Sequence, residues 1–138
     1  MLDLVESESQ AGNPPHKRAE YYTTAGLFSA EVGELEKAAE MFWKAYRVEL
    51  KREEYHPRMA DALSGLTQVR MKQSKLRNAR VCIRRLLQLA KHRWPERVLD
   101  AEVALRMVRC RIAFQAWKEN MKKGKAVSEN FTTVICLS

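Results

Sequence analysis

The segment Tyr22 to Ala45, YTTAGLFSAEVGELEKAAEMFWKA, returns in its spacing at Leu63 to Leu86, LSGLTQVRMKQSKLRNARVCIRRL. Tyr22, Gly26, Gly33, Leu35, Ala38, Phe42 and Ala45 of the first correspond to Leu63, Thr67, Ser74, Leu76, Ala79, Ile83 and Leu86 of the second, with one constant offset. A third start, Ala104-Leu105 with Val108, follows Ala62-Leu63 with Leu66 at nearly the same interval. Self-similarity at a fixed period of roughly 20 to 50 residues marks stacked repeat units, each one a small helical motif that cannot bury its apolar face alone. Arrays of this kind present surfaces that hold other molecules.

Working outward, the rest of the chain agrees with an all-α fold. At 138 residues it fits one domain, and a hydrophobic content of 46% supplies a core. Five Gly and four Pro leave little material for turns. Leu, Ala, Arg, Glu, Lys and Met, all good helix formers, dominate. No run of about 18 apolar residues is present, so no transmembrane helix is expected. The N-terminus has no basic-then-apolar leader pattern. Cys82, Cys110 and Cys136 are odd in number and far apart, which fits neither a disulfide framework nor a zinc site and points to a reducing, cytoplasmic setting, cytosolic or cytoskeleton-associated, with the nucleus left open.

Three regions follow from the punctuation. Residues 1–15 are acidic and polar, end in Asn13-Pro14-Pro15 and read as a disordered segment. Residues 16–120 hold the helical repeats. Residues 121–138 open on Lys122-Lys123-Gly124-Lys125, then switch to Val, Thr, Phe and Ile without a helical stripe, and read as a flexible tail. Within the middle region the three- and four-residue spacing of apolar side chains predicts five helices: His16–Ala30, Glu34–Glu53, Pro57–Lys72, Lys75–His92 and Glu96–Asn120. Gly33 tolerates the positive φ of a reversal, and Gln73-Ser74 takes the same place in the second copy. Tyr22, Phe42, Trp43 and Tyr46 read as core. The fifth helix buries Ala101, Ala104, Leu105, Val108, Ile112 and Trp117 on one face and lacks a hairpin mate. Two hairpins plus one long unpaired helix result. Apolar surface at Leu105, Val108 and Ile112 is then left for self-association or for a partner.

The first copy resembles a tetratricopeptide repeat: an aromatic and a small residue four apart, a turn Gly, then large and small residues in order. The long interval between copies, with His56-Pro57 opening a helix and Ala60-x-Ala62-Leu63-x-x-Leu66 following, is similar to the kinesin-light-chain type. Where that type carries paired Asn, this chain has Ser64 and Gly65. The resemblance covers roughly residues 17–120. It implies a right-handed α-solenoid fragment that is not an enzyme, needs no cofactor, and docks a peptide or helix on the concave face of its first helices. That face carries Glu20, Thr23 and Leu27 from the first repeat, Asp61, Ser64, Gln68 and Met71 from the second, and Arg106 and Cys110 from the half repeat. A clamp for C-terminal carboxylates needs Lys and Asn where Thr23 and Leu27 stand.

Charge offers a second function class. The net +8 divides into −4 over residues 1–61 and +12 over residues 62–138, and no acidic residue occurs from Ala62 to Pro95. Arg77, Arg80, Arg84, Arg85 and Lys91 form a basic stripe within residues 70–93. Nucleic acid or an anionic surface can use such a stripe, since neutralising phosphates releases counterions. A solvated helix face explains it as well, because few aromatics accompany the cations as stacking platforms. His16, His56 and His92 do not cluster, so no metal site is expected. Cys82 and Cys110 lie in helical stripes as small core residues; Arg106, Arg109 and Arg111 surround Cys110 in sequence and favour its thiolate if it is exposed. No nucleophile has an activating base beside it, and no phosphate-binding Gly loop occurs.

Overall fold

The computed structural model describes residues 14–52 and 55–124, and every regular element among them is helical. Helix α1 runs Pro15–Glu31, α2 Leu35–Leu50, α3 Arg58–Lys72, α4 Leu76–Arg93 and α5 Val98–Lys122, with a single 3-10 turn at Pro95–Arg97 before α5. The acidic segment up to residue 13 and the tail from residue 125, which includes Cys136, lie outside the described residues. The chain divides into two compact units, and the boundary between Val69 and Arg70 falls inside α3.

The first unit is built on α1, α2 and most of α3. Helices α1 and α2 pack against each other. Ala19, Tyr22, Ala25 and Gly26 of α1 are buried, as are Ala38, Met41, Phe42, Ala45 and Tyr46 of α2. Phe42 is the centre of this packing. A Cβ placed on Gly26 would come within 2.9 Å of its ring, and one placed on Gly65 of α3 within 2.6 Å. One edge of the ring therefore lies against glycines on two different helices. This is the close approach that small residues permit and that larger ones forbid.

The turn after α1 closes with Gly33 at φ +84°, Gly33 N–H donating to Ala30 O (3.2 Å) and Glu34 N–H to Ser29 O (2.9 Å). The turn after α3 repeats it at the equivalent place in the second copy: Ser74 at φ +60°, its N–H donating to Met71 O (3.0 Å) and Lys75 N–H to Arg70 O (2.8 Å). Both are Schellman endings, in which a left-handed residue lets its own amide and the next satisfy the last free carbonyls. Ser74 is a non-glycine residue in a conformation that glycine favours.

The second unit contains α4 and α5, which pack together. Leu76, Ala79, Ile83, Leu86 and Ala90 of α4 are buried, as are Ala101, Leu105 and Val108 of α5. Helix α5 is thus not unpaired: Leu105 and Val108 are interior, and Ile112 is half-buried. The expected self-association surface at these three residues is corrected accordingly. Trp117, expected beside them, lies on the opposite side of the helix and stacks on Phe114 at 5.7 Å between ring centroids.

Other differences are local. The second helix stops at Leu50 rather than Glu53, where Lys51 and Arg52 amides fold back onto Arg47 O and Glu49 O. The fifth helix is entered through the 3-10 turn, which is closed by the Arg97 N–H donating to Trp94 O. Pro57 precedes α3 rather than starting it. The His56 Nδ1 accepts the Arg58 N–H at 3.1 Å and so caps one free donor of that helix. Trp43 is half exposed, not core, and rests on Tyr46 at 5.5 Å.

Candidate functional site

The first unit brings six of the expected contact residues onto two of its helices. Glu20, Thr23 and Leu27 follow one another at three- and four-residue steps, which sets them on one side of α1. Leu27 and Glu20 are exposed. Thr23 is half-buried, its Oγ1 donating back to Ala19 O at 2.9 Å. Asp61, Ser64 and Gln68 form the same kind of strip on α3, with Asp61 and Gln68 exposed and Ser64 half-buried. Arg58 links the two helices, its Nη2 lying 3.7 Å from Glu20 Oε1. Met71, Arg106 and Cys110 belong to the second unit and are all at least partly accessible.

Behind Arg58 lies a group that the sequence pattern concealed. Glu49 sits among the apolar residues of α2 and is fully buried. Its carboxylate accepts from Arg52 Nη1 at 3.1 Å and lies 3.7 Å from Arg58 Nη1. A buried carboxylate needs such compensation, since unpaired charge in the interior is costly. Glu49, Arg58 and Glu20 therefore make a polar chain from the interior of the first unit to its surface.

A second feature was also missed. Arg18, Lys44, Arg47, Lys51 and Arg52 line an open groove of about 390 Å³ floored by Tyr22 and Val48. This collects cations in the half of the chain whose net charge is negative. Lys44, Arg47 and Lys51 at three- and four-residue steps were the available signal.

In the second unit, Arg77, Arg80, Arg84 and Lys91 fall on one side of α4, with Val81 exposed among them. Arg85 lies toward the flank and donates to Gln88 Oε1 at 3.4 Å. Cys82 is partly buried. Burial pushes its thiol pKa up, partly offset by the positive charge of Arg70 and by a backbone hydrogen bond. That environment disfavours a thiolate nucleophile. Among the described residues, no group of three or more His, Cys, Asp or Glu side chains could hold a metal ion. No described helix is long and apolar enough to cross a membrane.

No family model, curated protein or solved structure matches the chain.

Proposed function

We propose that the chain is a non-catalytic, cytoplasmic protein-interaction module of tetratricopeptide type, which holds a peptide or helix against the outer strips of α1 and α3. The observation that carries this reading is the repeated turn. Gly33 and Ser74, equivalent positions of the two copies, share a left-handed backbone and the same pair of closing hydrogen bonds. The same ending at equivalent positions is what a repeat unit calls for and supports this reading. Burial of Tyr22, Gly26, Ala38, Phe42 and Ala45, and of Leu63, Thr67, Leu76, Ala79, Ile83 and Leu86, supports it further. The strips Glu20-Thr23-Leu27 and Asp61-Ser64-Gln68 combine exposed apolar, polar and acidic groups, which suits a peptide with basic and apolar side chains.

Peptides selected from a random library against the whole chain test this reading. Amide chemical shifts of α1 and α3 should move on peptide addition, and Leu27→Glu should weaken binding. Binders that leave Leu27, Ser64 and Gln68 unperturbed would overturn it.

A second reading rests on the basic side of α4, where Arg77, Arg80, Arg84 and Lys91 project together. Nucleic acid or an anionic surface would bind there with a steep salt dependence, each neutralised phosphate contributing about one unit to the log–log slope. Affinity for a mixed-sequence duplex that is flat with salt, or unchanged in Arg80→Glu/Arg84→Glu, would remove this reading.

A further inference from the structure

Helix α5 has two apolar faces, and only one of them is used. Ala101, Leu105 and Val108 turn inward. On the opposite side stand Val103, Met107, Cys110, Phe114, Trp117 and Met121, separated by steps of four, three, four, three and four residues. That alternation is the a/d pattern of a coiled-coil seam. It runs about 27 Å along the helix at 1.5 Å per residue. Val103 is 47% exposed, Met107 58%, Phe114 46% and Met121 53%, while Cys110 and Trp117 are partly so. So much exposed apolar surface along one helix marks an interaction site.

The flanks decide what fits. The positions bordering the seam hold Ala104, Arg106, Arg111, Ala113, Lys118 and Asn120: three cations and no anion. Arg106, Arg111 and Lys118 are exposed. The groove beside Phe114 adds Lys122, against the single carboxylate of Glu119. A second copy of the chain meets like charge here. Side by side in parallel, Arg106 faces a second copy's Arg111; in the antiparallel register Arg111 faces its own counterpart. Like charges flanking a seam select against such pairing.

We propose that the outer face of α5 is a docking site for an amphipathic helix of another protein, one with an apolar heptad seam flanked by Glu or Asp. The inference rests on α5, two of whose residues, Arg106 and Cys110, also belong to the expected peptide face, and it does not use the strips on α1 and α3. Apolar side chains of the incoming helix fill the seam between Met107 and Phe114. Its carboxylates pair with Arg106, Arg111 and Lys118. Burial of the seam supplies affinity, and the flanking charges set partner choice.

The test uses the whole chain and two synthetic peptides of about three heptads, both with Leu at a and d, one with Glu and one with Lys at the flanking positions. Isothermal titration should show binding of the Glu peptide, with the Lys peptide about tenfold weaker or worse, given three flanking pairs. Met107→Glu and Phe114→Glu should each abolish Glu-peptide binding without changing helix content by circular dichroism. The triple variant Arg106→Glu/Arg111→Glu/Lys118→Glu should invert the preference, which keeps the test decisive even if a seam variant loses structure. Sedimentation of the chain alone should show no dimer that Met107→Glu dissolves. Equal binding of both peptides, binding of neither, or a Met107-dependent dimer would each overturn the proposal.

Discussion

Replacing Gly65 by Ala should destabilise the first unit, although the same change in most exposed helices stabilises. Alanine is a better helix former than glycine by about 1 kcal/mol, and that gain favours the variant. Against it stands the position of Phe42. The new Cβ would lie 2.6 Å from two carbons of the ring, far inside normal contact. The same ring edge also lies against Gly26, where a Cβ would come within 2.9 Å. Phe42 is itself almost wholly buried. Overpacking of a closed core costs about 1–3 kcal/mol, and a buried ring whose edge already meets two helices belongs at the upper end. The net expectation is a loss of about 2 kcal/mol. Urea unfolding followed by circular dichroism measures it, with Phe42→Leu as the second arm of a double-mutant cycle. Shortening the ring should recover much of the loss, giving a coupling of about 1 kcal/mol or more between the two positions. A Gly65→Ala variant that is more stable than the parent, or strictly additive with Phe42→Leu, would refute the packing argument.

Four further outcomes are expected. Ser74→Gly should raise the urea midpoint, because relief of a left-handed backbone worth about 1 kcal/mol outweighs the extra freedom gained by the unfolded chain. Gly33→Ser should lower stability by about 1 kcal/mol even though no heavy atom lies within 4 Å of its Cβ position, so the penalty is one of backbone conformation alone. Glu49→Ala should cost about 2 kcal/mol in the same assay, since it leaves Arg58 and Arg52 facing an emptied interior; both guanidiniums are partly wet, which holds the cost below that of a fully buried pair. Cys82 should alkylate slowly at neutral pH, and because its folded pKa is raised, the stability it contributes is present below the ordinary thiol range and lost as pH rises through the raised value. Cys82→Ala should flatten that alkaline loss in a pH series of unfolding free energies.

Much of the local structure is legible in the sequence. Gly33 and the Gln73-Ser74 turn could be placed because a chain reversal is governed by the few residues that make it. The five helices could be placed because apolar side chains recur at three and four residues on whichever face is buried. Tyr22, Gly26, Ala38, Phe42 and Ala45 stood out because the contacts between small and large residues recur with the period. Less legible were the positions whose role depends on what lies across from them. Glu49 is written in the sequence as one more charge near a helix end, and only the fold shows that it is interior, paired with Arg52 and approached by Arg58 from another helix. Trp43 reads as core by its chemistry and is half exposed by its place on α2. Helix α5 is the clearest case. The spacing marks Ala101, Leu105 and Val108 as an apolar face, yet it leaves that face without a mate, whereas in the fold these residues are interior. Helices α4 and α5 pack together, Leu105 and Val108 are interior, and Met107, Phe114 and Met121 are left exposed. The sequence by itself determined the helices, their turns and the recurrence of one spaced pattern, all set by short-range sterics and spacing. Tertiary structure alone decided that the apolar face of α5 is covered within the chain and that Glu49 is buried, because burial depends on atoms supplied by other helices.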